Sequence, residues 1–220
     1  MTLVQSPVFE LRRLDEVLVA GARLQELGRP AQERALRFAS AKDREDFIAG
    51  RLALWHFAAS LLDVDPARLV PDYSCPQCGP AQDHGRPGFM LDGVPAPLAL
   101  SASKAQGWVL LAGVVHPSEG ARLGVDLEAI DQAAFQGFDD VALTPGEKHF
   151  LKSVPENQKA VQRTRLWARK EAWLKMTGEG LRRNPAEVDV LDRPGLWDIT
   201  SINGERQELP EGFVAAVAIS

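Results

Sequence analysis

Two short stretches of this 220-residue chain carry residues that could do chemistry together. In Gly124-Val125-Asp126-Leu127-Glu128, apolar residues alternate with two acids. A strand points residues two apart to one face, so both carboxylates face the same way. Side by side they repel. A divalent cation compensates such a pair, and hard oxygen donors of this kind suit Mg²⁺. In the second stretch, Trp167 to Leu181, the residues Trp167, Glu171 and Lys175 recur every four positions. That spacing stacks them along one stripe of a helix. Glu171 then completes a set of three carboxylates, and Lys175, one turn further on, can hold an anionic group. Three acids and a lysine read as a metal-assisted phosphoryl-transfer site. The plain alternative is a solvated acidic strand face beside an amphipathic helix with an ordinary ion pair.

The positioning elements are legible from periodicity and turn chemistry. Arg29-Pro30-Ala31-Gln32-Glu33 begins a helix with Pro30 in its first turn, and Arg34, Arg37 and Phe38 follow on it. A longer helix is expected from Lys42 to about Val64, where Phe47, Leu54 and Leu61 recur every seven residues. The Pro/Gly-rich stretch from Pro71 to Pro97 reads as loop, with one short strand at Gly88 to Leu91. Leu98 to Ser101 reads as extended, and Trp108 to Val115 and Arg122 to Glu128 as strands. His116 to Gly120 is polar and turn-prone, a plausible boundary. Thr144-Pro145-Gly146-Glu147 has the form of a capping box opening a helix through Leu151. The main second-half helix is expected from about Pro155 to Met176, ended by Gly178. Strands are expected near Val188–Leu191, Leu196–Ile199 and Phe213–Ile219.

Composition sets outer bounds. A chain of this length makes one large domain or two small ones, and 45% hydrophobic with 25% charged residues is ordinary for a soluble globular protein. A net charge of −5 argues against general nucleic-acid binding. Locally the balance differs: Glu147 to Arg183 holds ten Lys/Arg against four Glu. That run is either a solvated helix face or a steering surface for an acidic partner. Met1 to Leu14 shows no secretory signal and no stretch is apolar enough to span a bilayer, so a cytoplasmic protein without membrane contact is expected. Cys75 and Cys78 sit among prolines and glycines. They read as a plain turn with reduced thiols, as half a metal site shared with His84, or as a disulfide.

The two acidic stretches, in this order and about forty residues apart, resemble the signature pair of the 4′-phosphopantetheinyl transferases, most closely the long, surfactin-synthetase-activating type. The second motif matches at Trp167, Lys170, Glu171, Ala172, Lys175, Gly178, Gly180 and Leu181. The resemblance implies an α+β fold of two similar subdomains in a pseudo-twofold arrangement, residues 1–117 and 118–220, with the active site in the cleft. It implies Mg²⁺-dependent transfer of 4′-phosphopantetheine from coenzyme A to a serine of an acyl or peptidyl carrier protein by a monomeric enzyme. Asp126, Glu128 and Glu171 would hold the metal, Glu171 would take the hydroxyl proton, and Lys175 would neutralise the phosphates.

For the donor, the family places a basic residue four positions before a Phe against the 3′-phosphate, and Arg34 precedes Phe38 by four. Arg51 is a second candidate, since an arginine on an otherwise buried helix needs an anionic partner. Gly85-Arg86-Pro87 matches a family motif whose backbone lies against the adenosine, and Ser101 is carried over as a further donor-binding residue. A surface charge at Arg34, a structural salt bridge at Arg51 and a bare turn at Gly85 remain the alternatives. One departure stands out. The family's Ser-His-Ser is here Ser101-Ala102-Ser103, so a phosphate-binding histidine is replaced by Ala102. A charge-assisted hydrogen bond contributes about 1.5–3 kcal/mol, so its loss weakens donor binding by roughly one to two decades unless Lys104, Arg34 or Arg51 supplies the charge. The competing functions are a coenzyme A-binding pseudoenzyme and a Mg²⁺-dependent diphosphate hydrolase.

Overall fold

Val8–Arg13 forms the first strand, β1, and Leu14–Val19 follows it as a short helix, α1. The computed structural model describes residues 6–19, 24–73, 75, 84–130, 136–202 and 208–220. The chain divides into two compact units, Met1–Ala121 and Arg122–Ser220.

In the first unit, α2 (Arg29–Ala35) carries proline in its first turn as expected, but it stops short of Arg37 and Phe38. The long helix α3 spans Ala41–Leu62, and the Ser40 hydroxyl caps it by accepting from the Asp43 amide at 3.3 Å. Short strands β2 (Leu69–Pro71), β3 (Phe89–Leu91) and β4 (Val94–Pro95) make a small sheet. The β3–β4 hairpin falls in the stretch expected to be mostly loop. Asp92-Gly93 closes it with φ of 49° and 85°, the mirror-image turn that matches strand twist. The main sheet runs β1-β6-β5, all antiparallel, with β5 at Leu98–Ala105 and β6 at Trp108–Val115. Phe47, Leu54, Phe57 and Ala58 of α3 pack on Leu100, Val109 and Leu111 of that sheet.

The second unit likewise sets a three-stranded sheet against a long helix. Strand β7 (Leu123–Ala129) pairs antiparallel with the last strand, and α4 (Phe138–Ala142) was not anticipated. The expected capping box is present: α5 (Pro145–Ser153) opens with Thr144 Oγ1 accepting from the Glu147 amide and Glu147 accepting from the Thr144 amide. Helix α6 (Glu156–Thr177) ends where Gly178 turns left-handed at φ 77°. Strands β8 (Leu196–Asp198) and β9 (Phe213–Ile219) complete the sheet β7-β9-β8. Each unit is thus a three-stranded antiparallel sheet against a 22-residue helix, and the α+β class holds. No helix among the described residues is long and apolar enough to cross a membrane.

The strand expected at Val188–Leu191 does not form. Its backbone is bound otherwise: the Val190 amide donates to Glu147 Oε1 at 2.9 Å, and Leu191 donates to Asp189 Oδ1 at 3.1 Å. With those amides engaged, no ladder can be built.

Gly124 sets how closely α6 lies on β7. A Cβ there would collide with the Ala172 carbonyl and stand 2.5 Å from the Met176 amide. Both are backbone atoms, so no rotamer change relieves the clash. Gly124→Ala should therefore push α6 away and lower stability by about 1–3 kcal/mol or more. Thermal unfolding followed by circular dichroism checks this, and an unchanged melting temperature would refute the close approach.

Candidate active site

On β7, Gly124 and the side chains of Asp126 and Glu128 share one face. Their partners across the ladder are Ala218, Ala216 and Val214, which pack with Ala168, Ala172 and Met176 of α6. The small residues at this seam bring the helix stripe onto the acids. Lys175 Nζ lies 2.6 Å from Asp126 Oδ1 and 3.3 Å from the Val125 carbonyl, and Trp167 Nε1 donates to Glu128 Oε1 at 3.0 Å. Trp167 is in turn held edge-on by Phe138, with ring centroids 5.5 Å apart. Neither the tryptophan's hold on Glu128 nor the role of Gly124 was read from the sequence. The four-residue spacing to Glu171 was the available sign of the first.

Asp126 is almost fully buried, at 2% exposure. Its charge is felt by both other acids. Burial pushes the Glu128 carboxyl up to about 7, and repulsion from Asp126 adds to this while Lys175 and Trp167 oppose it. Glu171 is also raised, first by burial, with Lys175 opposing and Asp126 reinforcing. Near neutrality the site therefore retains a proton where a cation would relieve the same repulsion. Three hard oxygen donors fit a divalent ion of the Mg²⁺ class. The trio is not drawn into a ligand set, however, and among the described residues no other group of three acids, histidines or cysteines forms one. The reason is local: Asp126 Oδ1 is turned to the Lys175 ammonium and Glu128 Oε1 to Trp167.

The profile of the 4′-phosphopantetheinyl transferase superfamily matches residues 122–218, nearly the whole of this second unit. The second unit is therefore similar to that superfamily's domain. It is also 26% identical over 196 residues to the 4′-phosphopantetheinyl transferase HetI of Nostoc sp. (strain PCC 7120 / SAG 25.82 / UTEX 2576), covering 85% of this chain and 76% of the relative.

The superfamily match stops short of the first unit, where the donor candidates lie. The Arg34 guanidinium is 5.3 Å and that of Arg51 5.2 Å from the Phe47 ring centroid, and Arg51 also lies 3.8 Å from the Tyr73 ring. These two are brought together. Gly85 turns at φ 94° and, with Arg86, is exposed. The adjoining Gly88 carbonyl accepts from the Asp72 amide at 2.8 Å, next to Tyr73. Ser101 is buried but alternates with Ala102 and Lys104 along β5, so it faces the other side of the sheet and does not join the arginines. Cys75 is half-buried, and Cys78 lies outside the described residues.

The basic run from Glu147 to Arg183 is largely neutralised. Eight of its ten cations take part in ion pairs, several with acids outside the run such as Asp139, Asp140 and Asp198. Counting charge along the sequence overstated its field, because folding returns these acids to it.

Proposed function

We propose that the chain transfers 4′-phosphopantetheine from coenzyme A to a serine hydroxyl of an apo acyl or peptidyl carrier protein, with Mg²⁺. The observation that carries this reading is Lys175 held 2.6 Å from Asp126, with Glu128 and Glu171 raised around it. It joins the two signature stretches into one acidic cluster around a lysine. Glu171, half-buried and with a raised pKa, is suited to take the serine proton. The serine oxygen then attacks the β-phosphorus, the bond to the bridging oxygen breaks, and adenosine 3′,5′-bisphosphate leaves. Lys175 offsets charge gathering on the phosphates. Mg²⁺ held by Asp126, Glu128 and Glu171 would neutralise the diphosphate. Arg34 and Arg51 are assigned to the donor's phosphates.

Release of adenosine 3′,5′-bisphosphate from coenzyme A, with and without an apo carrier, tests the reaction class. Release that requires both carrier and Mg²⁺ supports transfer. Release without a carrier would make the protein a hydrolase, and binding without release a pseudoenzyme.

The acids also predict a pH-dependent response to metal. The Glu128 carboxyl lies at about 7 in the folded chain, above its ordinary value of 4.5. The stability this contributes is complete below about 4.5 and disappears as pH rises through about 7. Metal-free protein should lose melting temperature between pH 5 and pH 8, and added Mg²⁺ should restore more at pH 8 than at pH 5. Asp126→Asn should flatten both trends. Equal Mg²⁺ shifts at the two pH values would contradict the assignment.

A further inference from the structure

A helix as short as α4 does not hold together alone, and it is tied down from two sides. Arg163 of α6 grips Asp139 with two hydrogen bonds, at 2.6 and 3.0 Å, and Lys148 of α5 reaches Asp140 at 2.9 Å. So anchored, α4 buries Phe138 and sets its ring against Trp167 at an interplanar angle of 78°. Thr164, one turn before Trp167 on α6, hydrogen-bonds the Ile130 carbonyl just beyond β7 at 2.9 Å. The end of the strand that carries Glu128 and the ring that holds its carboxylate are thus fixed from one helix.

The acceptor that the indole takes is a second, independent observation. A buried tryptophan N–H usually finds a partner, and in the first unit Trp55 Nε1 donates to the Leu69 backbone carbonyl at 3.0 Å. Trp167 Nε1 donates at the same distance to a rotatable carboxylate, Glu128 Oε1. Phenylalanine would serve packing alone. One neutral donor on one oxygen restrains Glu128 without neutralising it, unlike the ammonium that Lys175 sets on Asp126.

We infer that Trp167, braced by Phe138, is a positioning residue that keeps Glu128 a one-oxygen ligand and so makes the acidic site selective for Mg²⁺ over Ca²⁺. Mg²⁺ demands near-ideal octahedral geometry at about 2.0–2.1 Å, which suits a carboxylate giving one oxygen. Ca²⁺ accepts about six to eight oxygens at roughly 2.3–2.6 Å and takes carboxylates by one oxygen or both. While the indole keeps Oε1, the two-oxygen mode is closed to Glu128. A carboxylate released from the indole can turn and offer both oxygens. The inference rests on the reading of Asp126, Glu128 and Glu171 as the cation site.

Calorimetric titration of metal-free protein with MgCl₂ and, separately, with CaCl₂ at pH 8 tests this without any turnover. Trp167→Phe keeps an aromatic ring but removes the donor. It should weaken Mg²⁺ binding about ten- to a hundredfold and leave Ca²⁺ binding within about threefold of wild type, or tighter. Phe138→Leu, which keeps an apolar side chain on α4, should lower the Mg²⁺ preference in the same direction by roughly two- to tenfold. The ratio of the two affinities is the readout, because a general loss of folded structure weakens both ions alike. A preference unchanged in either variant, or both ions weakened equally, overturns the inference. Wild-type protein that binds neither ion overturns the cation-site reading and the inference with it. Wild-type protein that prefers Mg²⁺ beside variants that keep the preference removes only the role of Trp167 and Phe138.

Discussion

Glu171→Gln should lower kcat for carrier loading by more than the ~10²–10⁴-fold that removal of a general base alone costs. The residue combines two roles in this account. It stands on α6 one turn before Lys175, under the influence of Asp126, and burial raises its pKa, which makes it a stronger base than an ordinary glutamate. The amide keeps the volume but can neither take the serine proton nor complete a three-carboxylate ligand set. The KM for coenzyme A should change far less, because the groups assigned to the donor's 3′-phosphate lie in the first unit. Steady-state kinetics with an apo carrier separates these parameters. A loss below tenfold would remove Glu171 from the chemistry.

The largest expected effect on stability lies elsewhere in the same helix. Lys170 and Glu147 are both fully buried, with Nζ 2.7 Å from Oε2. The ammonium also donates to the Pro185 carbonyl at 2.9 Å and to that of Val188. Glu147 accepts from the Thr144 amide at 2.8 Å and the Val190 amide at 2.9 Å. One ion pair therefore ties α5, α6 and the 185–190 segment together, beside Glu171. Lys170→Met would leave Glu147 buried without its cation, a change that costs about 3–5 kcal/mol. The melting temperature should fall by on the order of 10 °C. The double variant Lys170→Met/Glu147→Gln should recover part of that loss, since it leaves no buried unpaired charge. A single variant as stable as wild type would show that the pair is not the tie described.

The strand and helix stripes were legible because their periods differ. Alternation placed Asp126 and Glu128 on one face of β7, and the four-residue spacing placed Trp167, Glu171 and Lys175 along α6. Capping chemistry fixed the start of α5 at Thr144. What stayed hidden depended on contacts distant in sequence. Lys170 was visible as a motif position, but nothing local marks its partner 23 residues earlier, nor that Glu147 would take the Val190 amide and so cancel an expected strand. Gly124 reads as an ordinary strand residue until the α6 backbone lies against it. The β3–β4 hairpin was within reach, since Asp92-Gly93 is a strong turn signal that the surrounding prolines obscured.

Intact mass of an apo carrier protein, measured after incubation with this protein, coenzyme A and Mg²⁺, tests the central claim most directly. The account predicts a gain of one phosphopantetheinyl group on a single serine, with equimolar adenosine 3′,5′-bisphosphate released. An unmodified serine across several acyl and peptidyl carriers, while the protein remains folded and binds coenzyme A, would contradict it.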